Sequence, residues 1–124
     1  MPNTVFIVED DPDIAEVLKF NLEHRGYKVF WEENGENAYE IILKVVPDIL
    51  ILDIALPGIS GIELCRYLKN DPRTKCIPII ILTAKIKKED RQASINAGAD
   101  DFITKPFALK DVIKRVSKLI KTNT

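Results

Sequence analysis

Residues 48–64 read "DILILDIALPGISGIEL", an apolar run that meets Asp53, passes through the loop signal "PGISG" at 57–61 and enters a helical pattern at Leu64, Cys65 and Leu68. Ile49 to Leu52 lack the polar alternation of a half-solvated strand, so the run suits a strand covered on both faces. A helix directly behind such a strand makes one strand–helix unit. Asp53 stands where the strand hands over to the loop.

The same unit recurs along the chain. "TVFIV" at 4–8, "KVFWE" at 28–32, "PIIIL" at 78–82 and the weaker "DFIT" at 101–104 are further strand-like runs. Helical spacing links Ile14, Val17, Leu18 and Leu22, then Ala38, Ile41, Ile42 and Val45. It is clearest in Leu109, Val112, Ile113, Val116 and Ile120. Pro12 opens the first helix, Gly26 ends it, and "NGE" at 34–36 starts the second. Strand and helix are therefore predicted to alternate five times. Right-handed crossovers turn that alternation into a parallel sheet with helices on both faces, because each returns the chain to the same edge. All strand carboxyl ends then share one crest, where open α/β sheets bind ligands.

With 124 residues the chain suits one domain, 1–124, around one core. Lys and Arg number 18 against 19 Asp and Glu, a net charge of −1, so no global field favours nucleic acid or an acidic membrane. The basic run Lys110, Lys114, Arg115, Lys118 and Lys121 complements a helix C-terminus and has no aromatic or base-reading partner, which argues against direct nucleic-acid binding. Cys65 and Cys76 are not spaced as a metal knuckle, no signal peptide is legible, and the apolar runs are too short to span a bilayer. A cytoplasmic protein with a frayed "KTNT" tail is the expectation.

Polar residues follow the inner strands: Glu9 and Asp10 after the first, Asp53 after the third, Thr83 after the fourth and Lys105 after the fifth. Singly, each has an ordinary reading as a cap or a solvated surface group. Together they place three acids, a hydroxyl and an amine at one edge. The acids repel unless a divalent cation joins them, and hard oxygen ligands suit Mg²⁺. Thr83 can donate to a phosphoryl oxygen and Lys105 can pair with the same group. No Ser, His or Cys nucleophile falls on the crest, and His24 lies at the end of the first helix, which leaves Asp53 as the candidate acceptor.

"FIVEDD", "DILILDIALPGISGIEL", "PIIILTA" and "GADDFITKPF", in this order, resemble the receiver domain of two-component response regulators over essentially the whole chain. The resemblance is nearest to receivers of the winged-helix transcription-factor subfamily. It implies a flavodoxin-like (βα)5 three-layer sandwich with a parallel five-stranded sheet of order 2-1-3-4-5. It also implies that Asp53 accepts a phosphoryl group from a sensor histidine kinase or phosphotransfer protein, with Mg²⁺ held by Glu9, Asp10, Asp53 and the backbone carbonyl of Ala55. Thr83 matches the switch hydroxyl, Phe102 the aromatic switch, and Lys105 the family lysine, whose bond to Pro106 is expected to be cis. Asp11 reads better as an N-cap beside Pro12 than as a third ligand. Trp31 lies on the second strand rather than beside Asp53, and its fluorescence is expected to report metal poorly.

In the winged-helix subfamily the fourth helix, fifth strand and fifth helix form a dimer face through reciprocal ion pairs. Arg91, Asp100, Asp101, Asp111 and Arg115 fall at positions like that set, with Ile95 and Ile113 as apolar contacts. A solvated charged face explains these residues equally well. The resemblance implies a signalling switch, not an enzyme of the ordinary kind, that assists its own phosphorylation and slowly loses the phosphate. The alternative is a Mg-dependent phosphohydrolase with Asp53 as nucleophile, although Ala55 stands where such enzymes usually keep a general acid. A flavin binder is a third reading, disfavoured because "EDDPD" would repel a phosphate. Ala55 and Lys85 border the site and are expected to tune the lifetime of the phosphorylated state.

Overall fold

A computed structural model describes residues 3–84 and 87–122, which places Lys85 and the last two residues of the tail outside the described residues. The strands are β1 (Thr4–Val8), β2 (Lys28–Glu32), β3 (Ile49–Leu52), β4 (Ile79–Thr83) and β5 (Asp101–Thr104). The helices between and after them are α1 (Pro12–His24), α2 (Gly35–Val45), α3 (Gly61–Lys69), α4 (Lys88–Asn96) and α5 (Leu109–Thr122). All pairings are parallel, and the order is β2-β1-β3-β4-β5. This is the flavodoxin-like (βα)5 sandwich expected from the sequence. The "KTNT" tail departs from expectation in part, since α5 extends through Thr122.

The apolar runs contain a hidden period of two. Val5, Ile7, Ile49, Ile51, Ile80 and Leu82 face one core with Leu18 and Leu22 of α1 and Val112 and Val116 of α5. Phe6, Val8, Leu50, Leu52, Ile79 and Ile81 face the other, against Ala38 and Ile42 of α2 and Leu64 and Leu68 of α3. Both sheet faces are covered, so neither needs polar alternation.

The helix starts follow local chemistry. The Asp11 side chain accepts from the Asp13 N–H at 3.0 Å and caps α1, as expected, with Pro12 at the position where a missing N–H costs nothing. Asn34 caps α2 through the amides of Glu36 and Asn37, and Ser60 caps α3 through the Glu63 amide. Gly26, at φ +94°, takes the left-handed position after α1 that a side chain would resist. Val17 of the predicted apolar stripe is 48% exposed, because Ala15, Leu18 and Leu22 form the buried line and Val17 flanks it.

Candidate functional site

The crest is held together by ladder bonds that run one residue past the strands. The Glu9 N–H donates to the Glu32 carbonyl at 3.1 Å, the Asp53 N–H to Val8 at 3.0 Å and the Lys105 N–H to Thr83 at 2.9 Å. Each of these backbones is therefore positioned by its neighbouring strand just before the chain turns away. Glu9, Asp53 and Thr83 are buried, at 2%, 6% and 1% exposed, while Asp10 faces solvent.

Lys105 joins the cluster. Its Nζ lies 2.7 Å from Glu9 Oε1 and 2.7 Å from Asp53 Oδ2, with the ammonium side chain itself largely buried. The Lys105–Pro106 bond is cis, as the resemblance implied. Asp53 Oδ1 accepts from the Ala55 N–H at 3.1 Å, and Glu9 Oε2 accepts from the Asp11 N–H at 3.2 Å. Ala55 is exposed and touches the cluster through that amide.

These contacts set the protonation of the cluster. Burial pushes the Asp53 carboxyl up, but hydrogen bonds from Lys105, Thr83 and the Ala55 amide outweigh it, so its pKa lies below the ordinary value. In Glu9 burial wins: despite hydrogen bonds from Lys105 and Asp11, desolvation, helped by the charge of Asp53, raises the carboxyl to about 7. Burial disfavours the Lys105 ammonium, yet the two carboxylates more than compensate and raise its pKa.

Glu9, Asp10 and Asp53 each offer one carboxylate oxygen, all within 4.8 Å of one another. Oxygens around an octahedral Mg²⁺ at about 2.1 Å would be separated by about 3 Å when adjacent and about 4 Å when opposite. Both separations fall inside the 4.8 Å limit. Among the described residues, the three carboxylates when all ionised and the one ammonium leave two formal negative charges, the complement of a divalent cation. The donor set therefore fits Mg²⁺ in number, chemistry and charge.

A family model for the response regulator receiver domain matches residues 5–117. The chain belongs to that family. The receiver is 42% identical over 118 residues to the phosphate regulon transcriptional regulatory protein PhoB of Pseudomonas aeruginosa, covering 95% of this chain and 52% of that protein. It thus spans about half the length of this curated relative. A putative response regulator from Chloroflexus aurantiacus superposes with a TM-score of 0.92 at 40% identity, over 98% of this chain and 99% of that one. The receiver domain of the sensor histidine kinase PA1611 from Pseudomonas aeruginosa gives 0.89 at 26% identity, over 98% and 99% of the chains, and its active-site cleft coordinates a magnesium ion. Similarity to a transcriptional regulator agrees with the subfamily resemblance read from the motifs.

Away from the cluster, one expectation fails, the surface placement of Ile113. Phe102 is half-buried against the core, with the Arg91 guanidinium 5.7 Å from its ring centroid. Ile113, expected as a surface contact, is only 9% exposed and packs into the core, because α5 turns its Val112, Ile113 and Val116 line toward the sheet. Ile95 is 55% exposed. Asp100 is turned toward α3 and β4, where its Oδ2 accepts from Lys69 Nζ at 2.9 Å and from the Ile79 N–H at 2.8 Å. Arg115 pairs with Asp101 at 2.8 Å and with Asp111 at 3.1 Å within the same chain. Among the described residues, no helix is long and apolar enough to cross a membrane.

Sequence reasoning missed two supports of the site. A Cβ on Gly61 would overlap the Asp53 carbonyl oxygen, so the absence of a side chain at the start of α3 is what lets the chain pass close behind Asp53. The glycine-containing loop was legible, but the close approach was not. Trp31 lies on the second strand, as expected, but its contact with the site was missed: its indole Nε1–H donates to the Glu9 carbonyl at 2.8 Å.

Proposed function

We propose that this receiver is a phosphoacceptor switch in which Asp53 takes a phosphoryl group from the phosphohistidine of a sensor histidine kinase or phosphotransfer protein. The observation that carries this reading is the Lys105 ammonium held 2.7 Å from both Glu9 and Asp53 at the carboxyl ends of β1 and β3. An Asp53 carboxylate oxygen attacks phosphorus in line. The oxygen–phosphorus bond forms as the nitrogen–phosphorus bond breaks, and the electron pair returns to the imidazole nitrogen of the donor.

Glu9, Asp10 and Asp53, with the Ala55 carbonyl, would hold Mg²⁺, which when bound neutralises charge on the transferring group. Asp53 supplies a nucleophile kept ionised by its hydrogen bonds. Lys105, already in contact with Asp53, would pair with a phosphoryl oxygen carried there, and the buried Thr83 hydroxyl would donate to another. Substrate orientation and charge neutralisation are all that such a transfer requires of the protein.

The same residues connect the site to a distant surface. Thr83 pairs with Thr104 across β4 and β5, the Lys105 N–H binds the Thr83 carbonyl, and Phe102 lies two residues before Thr104 beneath Arg91. Capture of Thr83 and Lys105 by a phosphoryl group shifts the packing of Phe102 and hence the α4–β5–α5 face, which is the output surface in this reading. A ligand of this kind biases two states only through its different contacts with each. Ala55 provides no proton donor two residues beyond Asp53, so slow loss of the acyl phosphate is expected in place of phosphomonoester turnover.

Intact-mass measurement with a small phosphodonor and Mg²⁺ tests the proposal. A gain of one phosphoryl group that needs Mg²⁺ and disappears in Asp53→Asn is expected. Phosphorylation of Asp53→Asn at the full rate would overturn it.

A further inference from the structure

Glu9 is fixed from β2 at both ends of its backbone. Its N–H donates to the Glu32 carbonyl, and its C=O accepts the Trp31 indole N–H at 2.8 Å. In a parallel ladder the donor to this carbonyl would come from the amide of Asn34, but Asn34 has left β2 to cap α2. The indole supplies the donor the strand no longer provides. Beyond Glu9 the chain leaves the sheet at once, with Asp10 exposed and Asp11 capping α1. The Trp31 bond is therefore a tether on the peptide unit that joins the two acids.

Trp31 is itself held in place. It sits opposite Ile7 in the β1–β2 register and packs, half-buried, against the core shared by α1 and α5. A large ring anchored in that core has little rotational freedom, so the N–H it offers is pre-oriented. Loss of this donor would leave the Glu9 carbonyl to rotate, and with it the plane that sets the direction of the Asp10 side chain.

We propose that Trp31 is a positioning residue of the cation site, acting through the Glu9–Asp10 peptide unit, and that its indole reports occupancy of that site. This rests on the reading of Glu9, Asp10 and Asp53 as a Mg²⁺ site. Trp31 is the sole tryptophan of the chain, so its emission carries the signal without background from a second indole. Cation binding draws on the peptide that the indole holds, and changes the field at a ring whose N–H lies one hydrogen bond away.

The test uses the unphosphorylated protein and Mg²⁺ alone, with affinity measured by calorimetry. In Trp31→Phe, which keeps an aromatic ring and deletes the N–H, the Mg²⁺ dissociation constant is expected to rise about three- to tenfold, the effect of one hydrogen bond. Replacement of Trp31 by benzothienylalanine, which keeps the bicyclic shape and lacks the N–H, is expected to give the same shift with less disturbance of packing. Wild-type indole emission is expected to titrate with Mg²⁺ at the calorimetric dissociation constant. A variant that loses stability but binds Mg²⁺ as the wild type does overturns the inference, and so does wild-type emission that ignores calorimetrically proven binding. Absence of any binding heat in the wild type would instead overturn the metal-site reading, and the inference with it.

Discussion

Replacing Lys105 by methionine keeps most of the aliphatic stem and deletes the ammonium that, among the described residues, bridges Glu9 and Asp53. Both carboxylates would remain, only 2% and 6% exposed, with oxygens that had shared a partner 2.7 Å away. Two unit charges within 4.8 Å repel by at least about 3.5 kcal/mol at an effective dielectric constant of about 20. Removing one member of a buried ionic cluster costs about 3–5 kcal/mol in general, and partial protonation of the stranded acids trims that toward the lower end. A loss of about 3 kcal/mol is therefore expected in the absence of divalent cation. With a urea m-value of about 2 kcal/mol/M, the unfolding midpoint would fall by about 1.5 M.

Mg²⁺ provides the control in the same assay. Without the ammonium, the described residues offer three negative charges in place of two once the ion has displaced any proton, so the variant should bind the ion more tightly. Saturation to ten times the dissociation constant stabilises either protein by about 1.4 kcal/mol, and at equal Mg²⁺ the variant should recover more than the wild type gains. Urea unfolding followed by far-UV circular dichroism, with EDTA and with Mg²⁺, measures both effects. A variant within about 0.5 kcal/mol of the wild type in EDTA would refute the assignment of Lys105 as the charge that holds this cluster together.

Gly61→Ala should lower stability by about 2 kcal/mol, read as a Tm several degrees below the wild type, since its Cβ would overlap the Asp53 carbonyl oxygen and force α3 or Asp53 to move. An unchanged Tm would mean that the chain behind Asp53 yields at no cost. Cys76 is exposed and Cys65 is buried, with burial pushing the Cys65 thiol up to about 11, so an aromatic disulfide reagent at pH 8 should titrate Cys76 quickly and Cys65 only on unfolding. Because the Cys65 thiol ionises less readily in the folded chain, its contribution to stability is complete below pH 9.0 and is lost as the pH rises toward about 11. Rapid reaction of two thiols in the native protein at pH 8 would contradict this.

The strands and the site were legible in different ways. Runs such as Ile49–Leu52 announce a strand covered on both faces, but they do not reveal that Ile49 and Ile51 join one core while Leu50 and Leu52 join the other. That division follows from the pleat and needs only the direction of one side chain to fix the rest. The acids, the hydroxyl and the lysine could be found because strand ends converge on one crest by topology, whatever the packing. α4 could be inferred from the alternation but not from its own residues. In "KEDRQASIN" Ser94 alone is buried, its hydroxyl donating back to the Asp90 carbonyl, so no apolar stripe marks the helix. The Trp31 bond to Glu9 crosses 22 residues of sequence between a side chain and a backbone atom, and no local pattern encodes such a contact.

The α4–β5–α5 face shows how a sequence match to ion-pairing positions differs from a surface ready to pair. A second copy offering reciprocal charges would have to displace the Arg115 contacts to Asp101 and Asp111, and the Asp100 contacts to Lys69 and the Ile79 amide. Partly exposed ion pairs are worth about 0–1 kcal/mol each, so exchanging an internal pair for one across an interface yields almost nothing. Apolar burial would then have to drive association, and of the two isoleucines at matching positions Ile95 is exposed while Ile113 is already spent on the core. Arg91, stacked over Phe102, is the one charged member of the set whose place depends directly on the ring expected to move. Self-association through this face would therefore first have to release the Arg115 and Asp100 contacts and rearrange Phe102 beneath Arg91.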